Sequence, residues 1–322
     1  DNKFAYEAGM NLQQLRYAAE VARRGLNVSA AAAALHTSQP GVSRQVRELE
    51  AELGVDLFVR QGRRLTAVPE AGREILAVAG RVLEELENLK RVGAEFAGGD
   101  RGSLAVAVTH TQARYALPPV VTAFKKRYGQ VRLTLLQGNP HQLARWLLEG
   151  EADVAIATEA LDRYESLVTV PGYQWHHGVV VPARHPLARA QPLTLEAIAA
   201  HPLVTYDPTF AGRSAIDAAF ARRGLQPDIV LTALDSDVIK SYVALGLGAG
   251  IISSVAFDPA KDRGLRLLAA SHLFPVQTTR LAFRKGAWLR GYAIEFIRLF
   301  VPRLSAQALR RLASGEGEDF AI

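Results

Sequence analysis

Apolar positions recur every three to four residues near the start of the chain. Leu12, Leu15, Ala19 and Ala22 mark a helix that Gly25 ends. Ser29 is placed to cap a short alanine-rich helix over 30–35. Thr37 and Ser38 precede Gln39 and Pro40, so another helix is expected to start there. Its proline falls in the first turn, where a missing N–H costs nothing. Val42, Val46, Leu49 and Leu53 carry it to Gly54. Residues 55–60 read as a short strand, 61–64 as a basic turn and 65–68 as the returning strand. Over 70–96 one long stripe runs through Leu76, Ala79, Leu83, Leu86 and Leu89. A small three-helix head cannot cover so long a stripe, so Leu83 and Leu86 are expected to pack on a second copy of the chain.

Past a Gly-rich linker at 98–103 the texture changes. Residues 104–108, 131–136 and 153–158 are β-like, and 114–128 and 141–150 between them read as helices. A second set follows, with strands at 178–182, 203–206, 228–233 and 251–254 and helices near 214–223 and 237–245. A strand at 281–283 and a helix through 292–304 come last. Strand–helix–strand order predicts α/β units with parallel strands. The tail, 313–322, is Gly- and acid-rich and is expected to fray. Met10, the only methionine, stands directly before the first helical pattern. It reads as the natural initiator, with 1–9 as added residues, or else those residues form a flexible arm.

Composition narrows the class. Of 322 residues, 49% are hydrophobic and 22% charged, as in ordinary globular proteins of two or three domains. With no cysteine, disulfides, thiolate zinc sites and cysteine nucleophiles are excluded. No apolar run approaches the ~18–20 residues that span a bilayer, and no secretory signal is evident. The expectation is a cytoplasmic protein without membrane contact. A net charge of +6 permits nucleic acid as a partner.

The helix beginning at Ser38 follows its neighbour after a short turn, the spacing of a helix-turn-helix. Ser38, Gln39, Pro40, Ser43 and Arg44 fall on its N-terminal side, and such groups can read base edges and grip phosphates. Arg60, Arg63 and Arg64 would then form a wing on the flanking phosphates. Solvated caps on a plain helical bundle are the other reading. Residues 10–72 hold eight Lys/Arg against six Asp/Glu, so the grip must come from placement.

At these positions the sequence resembles a known family. Asn11 to Arg16, Ala33 to Gln45 and Glu50 to Arg60 look like a LysR-type transcriptional regulator, and the likeness runs to about Leu304. The resemblance implies α/β architecture behind an N-terminal all-α winged helix-turn-helix. It places that DNA-binding domain at 10–69, a linker and dimerisation helix at 70–97 and a hinge at 98–103. A two-subdomain effector domain, like a periplasmic binding protein, then covers 104–170 with 277–312 and 171–276. It further implies promoter double-stranded DNA and RNA polymerase as partners, and a homo-oligomer, a dimer of dimers. Pro69 departs from the threonine common there.

Thr109, His110, Thr111 and Gln112 lie between a strand end and a helix start, where ligands bind in α/β sheets and where anions are favoured. Plain helix capping by Thr109 or Thr111 is the other reading. Thr109 to Pro118, Gln137 with Gly138, Ala155 to Glu159, Asp235 to Ile239 and Gly246 to Gly250 resemble the CysB branch of the family, regulators of cysteine biosynthesis and of sulfate and organosulfur assimilation. That resemblance implies that Thr109, Thr111, Gln112 and Thr158 bind a small anionic effector: sulfate, thiosulfate or an acetylserine-like molecule. The branch has a further threonine just before Gly-Arg-Ser; here Ala211 stands there. Either Thr209 supplies the hydroxyl or the donor is absent. Trp175 is a candidate pocket wall, or a core aromatic.

A LysR-type regulator of another pathway with a different small-molecule effector is one alternative; a cytoplasmic solute-binding protein, weakened by the missing export signal, is the other. An enzyme is not expected. Gly246, Gly248 and Gly250 follow a helix and precede a strand, the wrong order for a dinucleotide loop. No Gly-x-Ser-x-Gly occurs, and His176 and His177 point apart on a strand. No catalytic residue, cofactor or metal is expected.

Overall fold

The computed structural model describes residues 9–62, 64–98, 101–158 and 160–315. The chain forms two compact units that divide between Gly93 and Ala94.

The first unit is a helical head. Helix α1 (Leu12–Arg23) opens with a capping box: Asn11 accepts from the Gln13 and Gln14 amides, both at 3.0 Å, and Gln14 accepts in return from the Asn11 amide. Helix α2 (Val28–Ala34) starts earlier than expected. Gly25 and Leu26 both turn through positive φ, so Asn27, not Ser29, becomes the cap, accepting from Ala30 N–H at 3.0 Å. Helix α3 (Gln39–Leu53) is capped by Ser38 and ended by Gly54 in the left-handed region, as the sequence predicts. The strand expected at 55–60 shrinks to β1 (Val59–Gln61), paired antiparallel with β2 (Arg64–Ala67). Leu57 and Phe58 are instead buried in the head core, and their amides donate to Glu50 Oε1 at 2.9 and 3.2 Å.

The long helix α4 (Glu70–Gly98) begins against this core. A Cβ on Gly72 would collide with the Leu57 carbonyl, so glycine permits a backbone-to-backbone approach. The expected seam is corrected here. Leu76, Ala79 and Leu83 pack on the head's own cluster and are not left for a partner. The face that stays open holds Val78, Val82 and Leu89, at 48%, 40% and 68% exposure, with half-buried Leu86.

The second unit holds two five-stranded mixed sheets. Its elements in chain order are β3 (Gly102–Val108), a π-helical turn (Gln112–Ala116), α5 (Leu117–Arg127), β4 (Val131–Gln137), α6 (Pro140–Glu149), β5 (Val154–Ala157), β6 (Leu167–Trp175), β7 (His177–Pro182), α7 (Leu195–Ala199), β8 (Leu203–Tyr206), α8 (Ala211–Arg222), β9 (Ile229–Ala233), α9 (Ser236–Ala244), β10 (Ala249–Ser253), β11 (Leu265–Ala269), β12 (Gln277–Arg284), α10 (Gly291–Phe300) and α11 (Ala306–Ser314). The first sheet has the order β4-β3-β5-β12-β6 and the second β11-β7-β10-β8-β9. β3 pairs parallel with β4 and β5, and β8 with β9 and β10. β12 runs antiparallel to both its neighbours, and so does β7, so the expectation of parallel strands holds only in part.

The chain crosses between sheets after Trp175, not at 170/171, because β6 pairs with β12 along Leu167–Trp175. The helix expected at 292–304 ends as α10 at Phe300: Pro302 cannot continue it, and Ser305 caps α11. Residues 313 and 314 belong to α11, so the tail is ordered further than expected. Separate apolar clusters underlie the two sheets. Among the described residues no helix is long and apolar enough to cross a membrane.

Candidate functional site

The head presents a groove between α3 and the β1–β2 wing. Gln39, Pro40, Ser43, Arg44, Arg47, Arg60 and Gly62 line it. Pro40 and Gln39 are exposed, and Gln39 Nε2 donates to Ser43 Oγ at 3.1 Å. The Arg44 side chain is 74% exposed, with Glu48 3.6 Å away. Ser38 Oγ accepts from Gly41 N–H at 3.2 Å, so this hydroxyl starts the helix. Arg47, which sequence reasoning passed over, is exposed on the same groove.

Arg60 is a correction. Its guanidinium meets Glu50 Oε2 at 2.5 Å, and Glu50 is buried beneath the wing. A buried carboxylate needs this partner, so Arg60 ties the wing to α3 and is not a free phosphate contact. Arg64 is exposed on β2. Arg63 lies outside the described residues.

In the second unit a cavity opens between the two sheets. Thr109, His110, Thr111, Gln112, Pro140, Thr158 and Trp175 line it from the first sheet's side, and Tyr206, Phe210, Gly212, Leu234 and Ser253 from the second's. The Thr109 carbonyl accepts from Ala113 N–H at 3.0 Å, so a helix starts at Thr109. The amides just after it are first-turn amides, which have no acceptor within the helix, and they carry its positive end. Thr111 makes no side-chain capping bond to the π-turn. Thr158 follows β5, on the same rim.

Gln112 is 2% exposed and holds the cavity floor. Its Nε2 donates to Thr279 Oγ1 at 3.2 Å, its Oε1 accepts from Tyr173 OH, and Trp175 Nε1 donates to the same Thr279 oxygen at 3.2 Å. Burial raises the Tyr173 pKa, so its phenol keeps its proton. Trp175 is both buried and a wall, as the two readings of the sequence allowed. Thr209 is a correction. It is exposed, it does not line the cavity, and its hydroxyl donates to Asp207 Oδ1 at 2.7 Å.

Polar bonds join the segment after Thr111 to α9. Arg114 Nε meets Asp237 Oδ2 at 2.9 Å, Tyr115 OH donates to Asp237 Oδ1 at 2.7 Å, and Lys240 Nζ donates to Tyr115 OH at 2.9 Å. His110, Asp235 and Asp237 converge within 4.8 Å. Arg114 and Lys240 already offset the Asp237 charge there. Sequence reasoning missed the second sheet's lining residues. Gly212 belongs to the Gly-Arg-Ser stretch that Ala211 precedes, and Tyr206 and Ser253 end strands, the position the strand-end rule favours.

Comparison with known proteins accords with both halves. Residues 12–73 match the bacterial regulatory helix-turn-helix protein, lysR family, and residues 97–305 the LysR substrate binding domain. The chain is 51% identical over 313 residues to the HTH-type transcriptional regulator CysB of Burkholderia cenocepacia, covering 97% of this chain and all of that one. It is 52% identical over 296 residues to the regulator SsuR of the same organism, covering 92% and 96%. The crystal structure of the cofactor-binding domain of the Cbl transcriptional regulator superposes with a TM-score of 0.64 at 46% identity, covering 66% of this chain and 93% of that one. A DNA-reading head followed by an α/β ligand domain, with matches over both, makes this chain a member of the LysR family of bacterial transcriptional regulators.

Proposed function

We propose that the chain regulates transcription of sulfur-assimilation genes, for cysteine biosynthesis or for sulfate or organosulfur use. It binds promoter double-stranded DNA through α3 and the wing and senses a small anion in the α/β domain. Gln39, Pro40, Ser43 and Arg44 meet the major groove, with Ser38 setting the helix start and Arg63 and Arg64 on phosphates. Thr109, Thr111 and Thr158 hold the effector, and Gln112 and Trp175 shape its floor. Sulfate, thiosulfate and acetylserine-like molecules are the candidates. The protein acts as a homo-oligomer, a dimer of dimers, recruits RNA polymerase and catalyses no reaction.

One observation carries the effector reading: three threonines and the first-turn amides of a helix start lie at a cavity that, among the described residues, no Lys, Arg, Asp or Glu lines. Such donors suit an anion's oxygens. Calorimetry with sulfate, thiosulfate and acetylserines tests it. Thr111→Ala should weaken binding by about 1–3 kcal/mol and leave ligand-free DNA affinity unchanged. Equal binding of all three by wild type and variant refutes the site.

A further inference from the structure

Three buried polar side chains on one face of the second sheet lack hydrogen-bond partners. His177, Thr205 and Ser253 are at most 2% exposed. Neither ring nitrogen of His177 is bonded, nor is Thr205 Oγ1 or Ser253 Oγ. His177 and Ser253 stand opposite each other in the β7–β10 pair. On the next strand Val204 pairs with Gly250, so alternation turns Thr205 to the same face as Ser253. Groups of this kind are nearly always satisfied in folded proteins, and three together point to a missing partner.

The cavity is beside them. Ser253 and Gly212 line it, and Gly212 lies directly over the imidazole: a Cβ there would sit 3.1 Å from His177 Nε2. Burial, with His176 beside it, lowers the His177 pKa to about 4. The neutral ring offers one donor and one acceptor, as each hydroxyl does. This floor suits a group that both gives and takes a hydrogen bond and carries no charge.

We propose that His177, Thr205 and Ser253 form a second subsite of the effector cavity, which takes a neutral hydroxyl carried by the same short organic anion whose charged end sits on Thr109, Thr111 and Thr158. The proposal rests on the effector reading above and makes the effector two-ended, not a bare inorganic anion. For the hydroxyl to reach the floor the Phe210–Gly212 turn moves outward; α8 starts there without a side-chain cap to pin it.

Calorimetry on the full chain tests this with matched sulfonates: ethanesulfonate against 2-hydroxyethanesulfonate, and propanesulfonate against 3-hydroxypropanesulfonate, with inorganic sulfate as reference. Wild type should bind the hydroxylated member of at least one pair about tenfold more tightly, one net hydrogen bond. Ser253→Ala and Thr205→Val should each erase that gain, and Thr205→Val, outside the cavity lining, should bind sulfate as wild type does. Thr205→Val should also raise the ligand-free Tm, because it replaces an unpaired hydroxyl with an isosteric methyl. Equal binding within both pairs by wild type, variants that keep the gain, or a lowered Tm from a hydroxyl already satisfied by water each overturn the subsite. If sulfate binds and Thr111→Ala weakens it while the hydroxyl gains nothing, only the subsite fails. If wild type binds neither sulfate nor any sulfonate, the effector reading itself has failed.

Discussion

Glu50 organises the DNA-reading head through one carboxylate, which accepts the Leu57 and Phe58 amides and pairs with Arg60. Arg60→Ala should therefore cost the full chain's head about 3–5 kcal/mol, the usual result of stranding a buried charge, as read by chemical denaturation. Arg44→Ala should abolish specific operator footprints with the fold intact, since its side chain is mostly exposed; unchanged footprints would exclude it from recognition. His177 gives a pH signature. Above its ordinary value of 6.5 the ring is neutral folded and unfolded. From 6.5 down to about 4 only the unfolded chain takes up the proton, so stability falls as pH falls, by on the order of 3 kcal/mol. His177→Gln should flatten that part of the stability curve measured between pH 7 and 4. Of these residues Arg44 was read from sequence pattern as a recognition residue, and the structure leaves its side chain exposed on α3. Arg60 was read as one of a run of arginines, because nothing in the pattern marks Glu50 as the acid beneath the wing. His177 was placed on a strand, but burial by a helix start more than 30 residues away has no local signature.

At the scale of elements, helix starts and stops were legible where they depend on neighbours in sequence: Ser38 and Gly54 frame α3 as read. Strand direction was not, because β12 slots antiparallel between β5 and β6 only after a long excursion. The short edge strand β11 escaped for a related reason: its partner, β7, lies more than 80 residues earlier. The long helix shows how a stripe can be found and its partner misjudged. Leu83 belongs to the head, so Leu83→Glu should destabilise it. Val82→Glu with Leu89→Glu, on the open face, should instead reduce the oligomer to a smaller species by light scattering without lowering the Tm. An unchanged oligomer would move the dimer contact away from this face.

At the scale of the molecule, the segment that carries Thr109 and Thr111 also carries Arg114 and Tyr115, which tie the two sheets' subdomains together through Asp237 on α9. Tyr115→Phe removes the hydroxyl between Lys240 and Asp237 and should weaken effector binding severalfold while leaving ligand-free operator affinity alone. The order of domains was clear from sequence because composition and periodicity change together near the linker; the family resemblance implied the return of β12 to the first sheet by grouping 277–312 with 104–170, and only the outward crossing falls elsewhere, after Trp175. That return also sets an order of events during synthesis. β5 and β6 leave the ribosome long before β12, the strand that joins them. At about 5–20 residues per second, the second sheet emerges complete while β5 shows an open edge and β6 has no strand to pair with. The nascent chain thus has an interval of several seconds in which its first sheet is open to a chaperone or to a wrong neighbour, and arrival of β12 closes that interval.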